Sequence, residues 1–406
     1  MAIALAITFL ATALASFALP AEVRRGLWLP LHLALAGGAS TAIAGVLPFF
    51  VAAFAAAPPT RASVRALSVF CVAAGAALVT IGVVLPLALV AVAGGALFIA
   101  GICLVAAVSL QPLRAGLGPR GGIVTRAYVA ALAMVGTGAL LATLFLAGWP
   151  PVLEAWARLR PAHAWLNLVG FVSLVIATTL IHFFPTVVGS RIAAHPSARV
   201  TVYALSAGPP LVVLGYALEL GLMVRVGATL ASVGAFALLI YASRIWAKRA
   251  RWTTDASWHQ FAIGGLASAM VWFLVGMSIL AFRALIGDER PAGWALEPVI
   301  GPLVVGWVGL ALLASATHLV PAVGPGDPLA HARQRVVLGR LALARLVLAN
   351  LGIAGLTVGL LFGNGQLALA SLLIAAVAFA ITALLAARAI AIGLATVARG
   401  DAKPAS

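Results

Sequence analysis

The stretch AWLNLVGFVSLVIATTLIHFFPTVVG, residues 164–189, contains no acidic side chain and no basic one except the imidazole of His182. About 20 apolar residues, rising 1.5 Å each in a helix, cross the roughly 30 Å hydrocarbon core of a bilayer. The stretch therefore reads as a transmembrane helix. The same reading applies at about 2–19, 27–56, 64–85, 87–110, 123–148, 200–218, 221–245, 259–285, 298–322, 337–362 and 366–398, which makes twelve spans. The connections are too short for a soluble domain. The expected fold is an all-α integral membrane protein in one polytopic domain, 1–406, with residues 399–406 as a tail.

Composition agrees. The chain is 64% hydrophobic and only 8% charged, with a mean hydropathy of +1.16. A net charge of +16 would suit nucleic acid, but its distribution suits a bilayer. With the N-terminus inside, the inner loops and tail hold Arg61, Arg65, Arg114, Arg120, Arg126, Arg191, Arg199, Arg244, Lys248, Arg249, Arg251, Arg333, Arg335, Arg340, Arg399 and Lys403. The outer loops hold Arg24, Arg25, Arg158, Arg160, Arg225, Arg283 and Arg290. This excess of inner basic residues places both termini in the cytoplasm; Arg24 and Arg25 oppose it locally. Trp28, Trp149, Trp156, Trp165 and Trp294 fall near the outer boundary, and Trp246, Trp252 and Trp258 near the inner one, as interfacial belts do. The first span has no basic segment before its apolar run and reads as a retained helix rather than a signal peptide.

His182 has a counterpart. Leu180-Ile181-His182-Phe183-Phe184-Pro185 and Ala316-Thr317-His318-Leu319-Val320-Pro321 each place proline three residues after histidine, with glycine twelve residues before it at Gly170 and Gly306. The same spacing joins Gly37 to Phe49 in span two. Spans two, six and ten thus read as second helices of three four-helix blocks, approximately 1–110, 111–245 and 246–398. A weaker echo aligns Arg65-Ala66-Leu67-Ser68 with Tyr203-Ala204-Leu205-Ser206, and Arg345 takes a like place in span eleven.

An ionisable ring inside hydrocarbon is costly and so marks a candidate site. Both prolines remove a helix hydrogen bond beside the ring. Neutral imidazole ligates haem and copper, so His182 and His318 are candidate ligands, either as an axial haem pair or as part of a copper site. His259, at the start of span nine, is a candidate third neighbour. Arg345 is placed to snorkel, or to pair with a haem propionate. His32 and His163 open spans two and six and define a candidate second site near the outer surface, with His32 a metal candidate. His195 and His331 read as exposed. Cys71 and Cys103 read as packing residues, with a soft copper(I) site as the alternative. Met270 and Met277 read as core. No acidic residue lies mid-span, whereas proton-coupled carriers usually place one there. No nucleotide loop, zinc-protease motif or serine-hydrolase elbow is present.

Twelve helices in three blocks with histidines in spans six and ten resemble the haem–copper oxidase subunit I superfamily. More narrowly, the chain looks like the membrane region that precedes a soluble multicopper oxidase in bacterial proteins, and is akin to NnrS-type haem and copper membrane proteins. The resemblance rests on Leu31-His32-Leu33-Ala34-Leu35-Ala36-Gly37 with Ser40-Thr41-Ala42-Ile43, on Trp165-Leu166-Asn167-Leu168-Val169-Gly170-Phe171 running to His182-Phe183-Phe184-Pro185-Thr186, and on His318-Leu319-Val320-Pro321 with Arg345 to Asn350. It implies the scaffold, a place in the bacterial cytoplasmic membrane and one haem or copper site. The departures are specific. Phe49 stands where relatives of the narrower type carry histidine, span seven lacks a histidine pair, span ten has one histidine, and no cupredoxin segment follows span twelve. The expected function is electron transfer or nitrogen-oxide or copper handling, related to oxidoreductases but short of a proton-pumping oxidase, with a redox protein or separate multicopper oxidase as partner and no nucleic acid. The alternatives are a small-solute or metal transporter and a cofactor-less membrane partner.

Overall fold

In the computed structural model every described element is helical. The described residues are all except 116–121, 193–194, 250–258, 288–293 and 402–406, with side chains also left aside at 112–115 and 398–401. Arg120, Arg251, Arg290, Lys403, Trp252 and Trp258 therefore lie outside them, as do the side chains of Arg114 and Arg399. In chain order the helices are α1 (Ala2–Ala15), α2 (Trp28–Ala55), α3 (Ala62–Val84), α4 (Ala88–Ala115), α5 (Ile123–Leu146), α6 (Pro150–Val187), α7 (Pro196–Ala217), α8 (Gly221–Ala247), α9 (His259–Ile286), α10 (Glu297–Val323), α11 (Pro328–Gly339), α12 (Ala342–Leu361) and α13 (Gly365–Asp401). Eleven of these are long and apolar enough to span a membrane; the apolar helix at Ala2–Ala18 is shorter. The protein is an all-α integral membrane protein, and the first of the twelve expected spans is the one that falls short.

Two segments expected as loops are helical. Pro150–Ala164, with proline at its first turn, runs straight into the apolar part of α6. Helix α11 is a separate amphipathic helix whose N-cap Asp327 accepts a hydrogen bond from the Ala330 amide at 2.7 Å. Neither segment has the long apolar run that marks a span, so hydropathy alone does not reveal them.

The chain packs as two compact units. One comprises Met1–Thr179, Arg199–Gly234 and Ala281–Trp294, the other Leu180–Ala198, Ala235–Leu280 and Ala295–Ser406. Within each unit neighbouring helices approach through glycine, as expected where small residues allow close backbone contact. In the first unit, a Cβ on Gly75 of α3 would stand 2.5 Å from the Phe98 amide of α4, and one on Gly82 would stand 2.4 Å from the Ala91 amide. A Cβ on Gly208 of α7 would stand 2.8 Å from the Gly227 carbonyl of α8, and one on Gly215 would stand 2.7 Å from the Val224 amide. In the second unit, a Cβ on Gly352 of α12 would stand 2.5 Å from the Ala375 amide of α13, and one on Gly359 would stand 2.6 Å from the Ala368 amide. Three times, then, two glycines one heptad apart on one helix seat the backbone of the next.

Counting back seven residues from Gly75, Gly208 and Gly352 gives Ser68, Thr201 and Arg345, all buried polar side chains.

A second recurrence lies in α2, α6 and α10. Each contains a π-helical segment, Leu33–Ala39, Trp165–Ser173 and Ile300–Gly309, that includes Gly37, Gly170 or Gly306. Widening the helix leaves carbonyls without their usual i+4 donor. Ser40 and Ser173, each three residues after that glycine, donate their hydroxyls to the carbonyls five residues back, Leu35 at 3.0 Å and Leu168 at 2.8 Å. The glycines themselves are filled by Phe9 of α1, Met134 of α5 and Trp272 of α9. Apolar composition gives no hint of the wider turn. Ser40 and Ser173 are the polar residues that accompany it.

Candidate functional site

The second unit holds the His182–His318 region. His318 is buried, 8% exposed, and so is His259, 5% exposed. Their ring centres lie 5.4 Å apart with planes at 82°. Phe183 approaches His318 edge-on at 5.5 Å and 79°; His182 itself is half-buried. The structure thus sets His259, expected as a third neighbour, directly against His318. From α6 it is the residue after His182 that packs on the His318 ring. Pro185 and Pro321 sit inside their helices as expected. The Ile181 carbonyl accepts a hydrogen bond from the buried Tyr241 hydroxyl at 2.7 Å, which pins this part of α6 to α8.

Arg345 does not snorkel. It is 1% exposed, and its guanidinium donates to the Arg340 carbonyl at 3.0 Å, the Leu338 carbonyl at 2.5 Å and the Thr382 hydroxyl at 3.2 Å. It also lies 4.4 Å over the Phe261 ring. The two carbonyls are orphans at the C-terminal end of α11, where a helix leaves its last acceptors unpaired and carries partial negative charge. Arg345 satisfies them and holds α11 against α12 and α13. Gln334 on α11 adds bonds to the Pro325 and Ala389 carbonyls at 2.9 and 3.0 Å. Nearby, the Asn350 amide oxygen accepts from Trp272 at 2.9 Å.

The first unit holds the other pair. His32 and His163 have ring centres 6.3 Å apart and planes only 12° from parallel. The Trp28 indole stacks on His32 at 4.1 Å. Trp156, itself stacked on Phe145 at 4.1 Å, lies 6.2 Å from His163. His32 Nδ1 is 2.8 Å from the Trp28 carbonyl and His163 Nδ1 is 2.9 Å from the Gly138 carbonyl. Both histidines stand immediately before, or two residues before, the π segments, and π-bulges are frequent at functional sites.

Phe49 is 45% exposed, so the α2 position that matches His182 and His318 by spacing does not face into its unit. Cys71 is buried and Cys103 exposed, which leaves them in unlike environments. Met270 and Met277 are fully buried, as expected of core residues. His195 and His331 are half-buried rather than exposed. His195 Nδ1 lies 2.7 Å from the Ser197 hydroxyl at the start of α7, and His331 Nε2 lies 3.2 Å from the Gly324 carbonyl. Among the described residues, no three His, Cys, Asp or Glu side chains gather at metal-binding distance.

No protein-family model and no curated protein matches the chain.

Proposed function

We propose that this protein is a haem- or copper-binding integral membrane protein, resembling the haem–copper oxidase scaffold, that serves electron transfer or nitrogen-oxide or copper handling. The observation that carries this reading is the His259–His318 pair, two buried imidazoles whose rings pack against each other, since paired neutral imidazoles are common haem and copper ligands. Their spacing favours copper over haem at this position. With metal–nitrogen bonds of about 2 Å and about 1.1 Å from nitrogen to ring centre, two rings at roughly 120° around one ion have centres about 5.4 Å apart. A linear axial haem pair needs about 6.2 Å. A second donor set from solvent or substrate would complete an open site, as catalytic metal sites leave a position free.

The recurring glycine heptads and π segments support three pseudo-equivalent four-helix blocks. The distribution of basic residues supports cytoplasmic termini, a cytoplasmic-membrane location and the His259–His318 pair lying toward the inner face. A soluble redox protein or multicopper oxidase is the partner class this reading requires. The exposed Phe49 favours a second reading, a cofactor-less membrane partner protein.

The test is metal analysis and a visible spectrum of the full chain purified in detergent after expression with copper and haem supplied. Bound copper or a Soret band in the wild type, lost in His259→Ala and His318→Ala with monodispersity retained, supports the proposal. Wild-type protein that takes up neither group, or variants that keep the full content, overturns it.

A further inference from the structure

In the His32–His163 pair each ring meets a backbone carbonyl. A carbonyl oxygen only accepts, so the short Nδ1 contacts to Trp28 and Gly138 put the proton of each neutral ring on Nδ1. The Asn167 amide nitrogen also approaches His163 Nδ1, at 3.2 Å, but directs its shorter bond, 2.6 Å, to the His163 carbonyl. Nε2 of both rings is then the bare lone pair. Among the described residues neither Nε2 has a hydrogen-bond partner. This is the arrangement of metal-binding histidines, in which a backbone carbonyl fixes the tautomer and orients the ring.

From this geometry we infer that His32 and His163 form a two-coordinate site for a monovalent soft cation, copper(I), in the first unit, independent of the site proposed above. The separation fits: two Nε2 atoms bound in line to one ion at about 2 Å put ring centres about 6.2 Å apart, against 6.3 Å observed. The donor count favours the ion: copper(I) is satisfied by two nitrogen donors, and no third His, Cys, Asp or Glu joins this pair among the described residues. Charge selects in the same direction. Born cost scales with charge squared, so a monovalent ion between two neutral ligands loses about a quarter of the solvation energy of a divalent one.

The experiment uses the full chain in detergent under reducing, anaerobic conditions, with copper(I) delivered from a chromogenic chelator and silver(I) as a redox-inert second probe. Wild-type protein should take up one equivalent of copper(I) that both His32→Gln and His163→Gln lack, with unchanged melting temperature, and His318→Ala should retain that equivalent. X-ray absorption on the His318→Ala protein should show two nitrogen ligands. His32→Met, which supplies a soft thioether, should recover binding. Full uptake by both glutamine variants, or three or more ligands in the absorption spectrum, overturns the inference. So does loss of the same equivalent in His318→Ala. Absence of metal at His259–His318 leaves this site standing, so the two proposals fail separately.

Discussion

Replacing Arg345 by methionine tests whether this buried cation is a structural clasp. Methionine keeps most of the aliphatic length but removes every donor. The Leu338 and Arg340 carbonyls, satisfied at 2.5 and 3.0 Å in the native protein, are left inside without a partner. Each unsatisfied buried acceptor costs about 1–3 kcal/mol. The Thr382 hydroxyl loses one contact but keeps its bond to the Ala378 carbonyl at 2.8 Å. Against these losses stands the desolvation of a guanidinium that no longer has to be buried, which returns part of the cost. The balance is about 3 kcal/mol, and it falls on the docking of α11 because both carbonyls belong to its end. A free energy of that size raises the open population of α11 by about 150-fold. Hydrogen exchange read by mass spectrometry on peptides covering 328–341 measures this directly: exchange there should accelerate by about two decades, while peptides of α3 and α4 keep wild-type rates. Arg345→Lys, which retains charge but reaches fewer acceptors, should fall between. Unchanged exchange in α11, or acceleration spread evenly over the chain, would refute the assignment of Arg345 as the clasp of α11.

The other predictions follow from the same geometry. Gly75→Val, Gly208→Val and Gly352→Val should each destabilise their hairpin by about 2–3 kcal/mol or more through overpacking against backbone, seen as lowered melting temperature in detergent. Gly136→Ala, where nothing lies within 4 Å, should be neutral or slightly stabilising. Ser173→Ala leaves the Leu168 carbonyl of the π segment without its hydroxyl donor and should cost about 1 kcal/mol, again read by melting. Reporter fusions after Ala250 and after Ala292, both outside the described residues, should report cytoplasmic and external locations respectively; the reverse pattern overturns the orientation.

What the sequence made legible was what hydrocarbon dictates. Residues 164–189 must be a helix because a bilayer core offers backbone groups no other partner, and the same argument located eleven long spans. The segments it missed, Pro150–Ala164 and α11, are polar enough to lie in water, so their helicity depends on caps and packing rather than on run length. Gly37, Gly170 and Gly306 were recognisable as a repeated spacing, yet the π turns around them were not, because a π segment differs from an α-helix only in which carbonyl each amide meets. The glycine heptads of α3, α7 and α12 were present in the sequence among 41 glycines. They became distinguishable only when a Cβ at each could be set against the backbone it would strike.

The histidines divide along the same line. Depth and apolar context singled out His182 and His318 as equals, but ring partnership depends on helix rotation, which spacing does not carry. His259 reaches His318 because it begins a helix of the same unit, and Phe183 takes the neighbouring place because it is one residue, about 100° of helix rotation, beyond His182. His32 and His163 illustrate the converse. Each begins the apolar part of its helix, where an interfacial histidine is ordinarily hydrated. Only the paired carbonyl contacts at Trp28 and Gly138 turn both rings into preorganised acceptors. A metal-binding pair is therefore defined less by where its histidines fall in a hydropathy profile than by what occupies their other nitrogen, and at His32 and His163 a backbone carbonyl meets Nδ1 of each ring.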